Sequence, residues 1–257
     1  MARIFITGSS DGLGLMVGQV LADQGHRVVL HARSDARATD AKKALPKAEA
    51  VVVGDLGSIA ATKDLGPQVN ALGSFDAIIH NAAVGYREGQ LRTSDGLPHV
   101  FAINTLAPYI LTALIERPKR LVYLSSGMHE RANANLEDIL WRKRQWDGSS
   151  AYAESKLHDV MLTFAVARLW PNVLSNALTP GWVPTKMGGA GAPDDINQGH
   201  LTQAWLATSE DAAARSTGGY FYHLKRREPN PEARDVALQD RLIAICQEIS
   251  GVDLPQA

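Results

Sequence analysis

A chain of 257 residues, 45% hydrophobic and 21% charged, can bury one large α/β core or two small ones. Its 26 basic and 27 acidic residues leave a formal net charge of −1, which offers no strong field to nucleic acid or anionic lipid. One cysteine, Cys246, excludes a disulfide framework or cysteine metal site within the chain, and the lack of an export signal or of an apolar run of ~20 residues points to a cytoplasmic protein without a membrane span.

Short β-branched runs alternate with helical patterns from the first residues. RIFI is followed by a predicted helix from about Gly12 to Gln24, then RVVLHA, a helix over Ala36 to Leu45, and AVVVGD. A helix near Ala60 to Leu72, FDAIIH, a helix near Leu97 to Ile115, KRLVYLSS and a strand near Val173 to Leu178 continue the series. The strands are almost continuously apolar, as strands covered on both faces must be, so the pattern predicts a single α/β domain over 1–257. Its architecture is a doubly wound, Rossmann-like parallel sheet with helices on both faces. A polar insertion at about 129–150 and a Gly/Pro-rich lid at about 182–200 break the alternation. The basic clusters Arg142, Lys143, Arg144 and Lys225 to Arg227 read as solvated faces, and Cys246 as a small core hydrophobe on a helix.

The first strand ends in TGSSDGLG. Gly8, Gly12 and Gly14 at a strand-to-helix turn let backbone N–H groups approach a pyrophosphate, whose charge the helix N-terminus favours. The spacing differs from G-x-G-x-x-G, and a tight turn alone would also use such glycines. Where an acidic residue would hold a ribose 2′-hydroxyl, the second strand ends in Ala32 followed by Arg33. A guanidinium grips a 2′-phosphate, so NADP(H) is favoured; NAD(H) is the alternative, with Asp35 on the ribose and Arg33 solvated.

Further on, YAESK sets Tyr152 and Lys156 four residues apart in a helical run, on one helix face, where a phenol and an ammonium can share a proton. A half-buried aromatic beside a solvated lysine is the plainer alternative. An unperturbed phenol, with a pKa of about 10, is too weak a base near neutrality. One unit charge at ~4 Å is large enough to lower it by ~3 units.

TGSSDGLG, GDL at 54–56, HNAA at 80–83, Asn104, SSG at 125–127, YAESK and PGWVPT at 180–185 together resemble the short-chain dehydrogenase/reductase family over roughly residues 3–190. The segments TSDGLPHVFAINTLAPYILT and ATSEDAAARSTGGYFYHLK look most like its retinol dehydrogenase and carbonyl reductase branches. The family's N-N-A-G stands here as His80-Asn81-Ala82-Ala83, a change that bears on the local backbone path.

The resemblance implies hydride transfer between a nicotinamide and a carbonyl or alcohol of a small, apolar molecule. Tyr152 would handle the hydroxyl proton, Lys156 would tune it and hold the nicotinamide ribose, and Ser126 would bond the substrate oxygen, with Ser125 the alternative. Asn104 would hold a relay water or, alternatively, kink its helix by bonding to backbone. Ser10, Leu13, Leu56, Asn81, Pro180 and Val183 join the cofactor set, with Asp55 on the adenine or capping a helix and Thr185 on the carboxamide. Trp182, Met187, Tyr86 and Trp205 would line the substrate pocket or pack in the core. A homo-oligomer is implied, joined through Tyr152 to Trp170. A nucleotide-sugar epimerase or dehydratase would carry T-G-x-x-G-x-x-G, and a cofactor-sensing module would not need the Asn104, Ser126, Tyr152, Lys156 quartet.

Overall fold

In the computed structural model, which describes residues 1–256, each apolar run of the first half becomes a parallel strand. These are β1 (Arg3–Ile6), β2 (Arg27–Ala32), β3 (Ala50–Val53), β4 (Ala77–His80) and β5 (Arg120–Leu124), followed by β6 (Leu174–Thr179) and β7 (Gly219–Tyr222). The short β8 (Lys225–Arg227) returns antiparallel at the edge, completing an eight-stranded sheet in the order β3-β2-β1-β4-β5-β6-β7-β8. Its three basic residues are exposed, as expected, and blunt that edge against further pairing. The strand order reverses between β1 and β4, which opens a crevice at their carboxyl ends.

Alternation along the strands divides the core in two. Phe5, Val29, Ile78 and Leu121 face one apolar layer, and Ile4, Ile6, Val28 and Leu30 face the other. Helices cover both layers: α1 (Gly12–Asp23), α2 (Asp35–Ala44) and α3 (Ile59–Ala71), then α4 (His99–Phe101) and α5 (Ala107–Leu114) joined by a π-helical turn at Ala102–Leu106. α6 (Gly148–Leu169), α7 (Ile196–Gly199), α8 (Leu201–Thr208) and α9 (Val236–Ser250) complete the set. Ser34, Ser58, Asp147 and Asp235 accept backbone N–H bonds at four helix starts. The cap of α3 is thus Ser58, which removes the capping alternative for Asp55.

α6 is buried almost all round, and α9 lies along it. Arg168 Nε donates to Gln239 Oε1 at 3.3 Å, Tyr109 to Val252 O at 2.8 Å, and Trp170 Nε1 to Pro255 O at 2.7 Å. The chain's own C-terminal segment therefore occupies the face from which subunit contact is expected. Cys246 sits on α9 as a fully buried free thiol. Among the described residues, no helix is long and apolar enough to cross a membrane.

The insertion packs down tightly. Trp141 and Trp146 meet edge to face at 5.2 Å and join Val100 and Ala151 in a small apolar cluster. Arg144 corrects the solvated-face expectation: Nη1 and Nη2 donate to Glu154 Oε1 and Oε2 at 2.6 and 3.0 Å, and the guanidinium lies 3.9 Å from the Trp141 ring centroid. A buried carboxylate on α6 needs a partner, and the insertion supplies it.

Candidate active site

The glycine turn owes its shape to two left-handed glycines, Gly8 at φ 59° and Gly12 at φ 55°. A Cβ on Gly8 would come within 2.6 Å of Ala82 Cα, so β1 and the segment after β4 meet backbone to backbone. A Cβ on Gly12 would meet nothing and would project into the open space beside the turn. Ala83, which stands where the family has glycine, has no positive φ, so the altered HNAA segment needs no left-handed backbone there. Asn81 Nδ2 donates to Thr7 O and Gly8 O at 3.0 and 3.1 Å, while its buried Oδ1 has no partner. His31 adds a brace that the sequence did not signal. Gly8 N donates to His31 Nδ1 at 2.9 Å, and His31 Nε2 donates to Gly54 O at 2.8 Å, which links the turn to β2 and β3.

These groups line a cavity of about 1560 Å³ that runs along the carboxyl ends of the strands. Of the sequence-derived catalytic and cofactor residues, all except Asn104 line it: Gly8, Ser10, Gly12, Leu13 and Gly14 at the turn, with Arg33, Asp55, Leu56 and Asn81 nearby. Ser126, Tyr152, Lys156, Pro180, Val183 and Thr185 line its other end. Arg37, on the first turn of α2, was missed. Its Nη2 donates to Ser10 Oγ at 3.1 Å and pairs with Asp11 Oδ2 at 2.7 Å, so two guanidiniums flank one end of the cavity. An open glycine cradle, a buried unpartnered amide oxygen and paired cations fit a phosphorylated dinucleotide.

At the opposite end, β5 delivers two serines with different fates. Ser125 is buried and donates its hydroxyl to Lys156 O at 2.7 Å. Ser126 is left facing the cavity, its oxygen accepting from Met128 N at 3.3 Å. Asn104 lies in the π-helical turn, fully buried. Its Oδ1 accepts from Val84 N at 2.8 Å, and its Nδ2 donates to Val84 O and Ser155 Oγ, both at 3.0 Å. Both amide hydrogens are committed, so a water there can reach only the second lone pair of Oδ1 or a backbone carbonyl freed by the π turn.

Tyr152 and Lys156 share the inner face of α6, with Nζ 5.8 Å from the phenol ring centroid. Lys156 Nζ donates to Leu124 O at 2.7 Å and to Asp159 Oδ2 at 2.8 Å, which leaves one N–H free. The expected depression of the phenol pKa is corrected. Burial raises it, and this outweighs the lowering by the Lys156 charge and the Ser126 hydrogen bond; Asp159 and Tyr86 add to the rise. Tyr152 is therefore a protonated phenol at neutral pH.

Tyr86, Trp182 and Met187 line the cavity. Trp205 instead packs against Phe221 with its ring centroid 5.6 Å away. The lid segment is a folded strap: Asp194 Oδ2 accepts from Trp182 N at 2.6 Å, Trp182 Nε1 donates to Gly188 O at 3.0 Å, and Lys186 Nζ bonds Asp11 Oδ2 at 2.8 Å. The last contact joins the strap to the glycine turn.

Known proteins share the sequence and the fold of this chain. The family model described as short chain dehydrogenase matches residues 2–127. An uncharacterized oxidoreductase of Emericella nidulans is 46% identical, covering 99% of both chains. The short-chain dehydrogenase chyC of Penicillium rubens is 43% identical over 99% of this chain and 100% of its own. A blue fluorescent protein from a metagenomic library, solved in complex with NADPH, shares the fold at a TM-score of 0.70 and 22% identity, over 86% of this chain and 95% of its own. The chain belongs to the short-chain dehydrogenase family of oxidoreductases.

Proposed function

We propose that this chain transfers a hydride between NADP(H) and the carbonyl or alcohol carbon of a small, largely apolar molecule. The chief support is the convergence of Tyr152, Ser126 and Lys156 on one end of a cavity whose other end carries Arg33, Arg37 and Ser10. Arg33 and Arg37 would hold a 2′-phosphate, Asn81 and the glycine turn the dinucleotide, and Thr185 with Pro180 and Val183 the nicotinamide. Bound NADP(H) supplies or accepts the hydride. NAD(H) lacks the phosphate that the two guanidiniums would grip, so NADP(H) is preferred.

In reduction, Ser126 donates to the substrate oxygen and shares its developing charge. Tyr152, kept protonated by burial, gives that oxygen its proton, and the Lys156 charge stabilises the phenolate left behind. Tyr86, Met187, Met128 and Trp182 form apolar walls. Met128 and Trp182 are 38% and 53% exposed, large apolar surface left uncovered at the cavity mouth. A reducing, cytoplasmic setting suits the free Cys246, and any homo-oligomer contact lies outside the α6 face that α9 covers. NADPH oxidation with a panel of aldehydes and ketones tests the proposal. Turnover with apolar carbonyls supports it, and a silent panel despite tight NADPH binding counts against it.

A further inference from the structure

The reaction attributed to Tyr152 uses only part of the charge buried beside it. Lys156 Nζ and Asp159 Oδ2 are 2.8 Å apart, with side chains 3% and 4% exposed, and the ammonium is held on its other side by Leu124 O at 2.7 Å. Three residues separate the partners, so both lie on the inner face of α6 against β5. Tyr152 and Asp159 are seven residues apart, two helical turns, and share that face. The titratable groups that meet this pair are few. Tyr152 and Lys156 come from α6, Tyr123 from β5 and Tyr86 from the segment after β4. Tyr123 is kept neutral by burial, and its hydroxyl is hydrogen-bonded to Thr112 at 2.8 Å.

We propose that Asp159 is a positioning residue for proton transfer, acting through Lys156: it fixes the ammonium beside Leu124 O and offsets its charge at Tyr152. The proposal rests on the reading of Tyr152 as proton donor. The offset adds to burial in keeping the phenol protonated, and so an acid in reduction, despite a buried lysine on the same helix face. Without Asp159, Lys156 would act on the phenol unopposed. The phenol would then titrate lower and hold its proton less firmly in the reduction direction. Burial pushes the Asp159 carboxyl up to about 6 while Lys156 works to lower it, so the negative charge is present at neutral pH and fades below that value.

A titration that needs no substrate tests this. A difluorotyrosine in place of Tyr152, inherently more acidic, brings the phenol into the pH range where the protein is folded, and its phenolate absorbance is followed with and without Asp159→Asn. At a separation of ~10 Å along the helix and an effective dielectric near 20, loss of the Asp159 charge should move the titration about one pH unit lower. Asp159→Glu should restore it. An unmoved or upward-shifted titration in a folded Asp159→Asn protein overturns the proposal. If neither Asp159→Asn nor Asp159→Ser folds, the pair is structural and the proposal falls. Normal turnover in Tyr152→Phe would instead overturn the reading of the site, and neither result produces the other.

Discussion

Arg144→Met tests whether the insertion is a structural part of the catalytic helix or an ornament on it. The substitution keeps a long apolar stem over Trp141 but removes both N–H bonds to Glu154, whose side chain is 6% exposed. Breaking a buried pair by removing one partner costs ~3–5 kcal/mol, because the other charge is left uncompensated. Arg144 itself is 31% exposed, so water already screens its side of the pair and the lower end applies. Loss of the cation–π contact adds ~0.5–1 kcal/mol, and Asn135 Nδ2, which also donates to Glu154 Oε1 at 2.6 Å, returns part of the loss. A net destabilisation of about 2–3 kcal/mol follows, or a melting temperature lower by roughly 5–10 °C for a chain of this size. Thermal and urea melts of Arg144→Met, Glu154→Gln and the double variant give the coupling directly. The singles should each destabilise and the double should cost less than their sum by more than about 1 kcal/mol. Additive effects would refute the clamp and return Arg144 to the solvated face.

Arg33→Ala should weaken NADP(H) binding about tenfold to a hundredfold, with Arg37→Ala weaker because Asp11 already engages that guanidinium, and NAD(H) binding should hardly change in titration calorimetry. Equal losses for both cofactors would make the arginines structural. Ser125→Ala should cost about 1 kcal/mol of stability and little turnover, whereas Ser126→Ala should lose turnover by a factor of about 10–10³ while melting normally; the reverse would mean that the wrong serine faces substrate. For the strap, burial works upward on the Asp11 carboxyl, and the hydrogen bonds from Lys186 and Arg37 outweigh it, leaving the pKa lowered. A depressed carboxyl contributes above its ordinary pKa and loses its contribution as pH falls through the folded value. Hydrogen exchange over residues 182–200 should therefore stay slow through mildly acidic pH and speed up in Lys186→Ala, and unchanged exchange in that variant would remove the latch.

Much of the fold is legible because parallel strands buried on both faces must be written in Val, Ile, Leu and Phe, as β1, β2 and β5 are. The glycine turn is legible because positive φ at Gly8 and Gly12 restricts the residue type. YAESK is legible because helical spacing alone puts Tyr152 over Lys156. Other features depend on distances that no local pattern encodes. Arg37 reads as an ordinary exposed helix residue until the fold sets it against Asp11 and Ser10, and Arg144 looks solvated until an irregular segment carries it to Glu154. The direction of the phenol pKa is not legible because burial and the Asp159 charge both act through packing, whereas spacing shows only the lysine. Asn104 stands out in the motif, but its three hydrogen bonds, to Val84 and Ser155, join segments far apart in sequence.

The most direct measurement is NADPH binding and single-turnover reduction by Tyr152→Phe, on any carbonyl that the wild-type chain reduces. Only a hydroxyl is lost at a site whose cofactor end is formed by other residues, so the fold and NADPH affinity should survive within about a few fold. The rate of the chemical step should fall by ~10²–10⁴, the usual worth of a positioned proton donor. A Tyr152→Phe protein that binds NADPH and reduces the same carbonyl at close to the wild-type rate would show that Tyr152 is packing and that the proton comes from elsewhere.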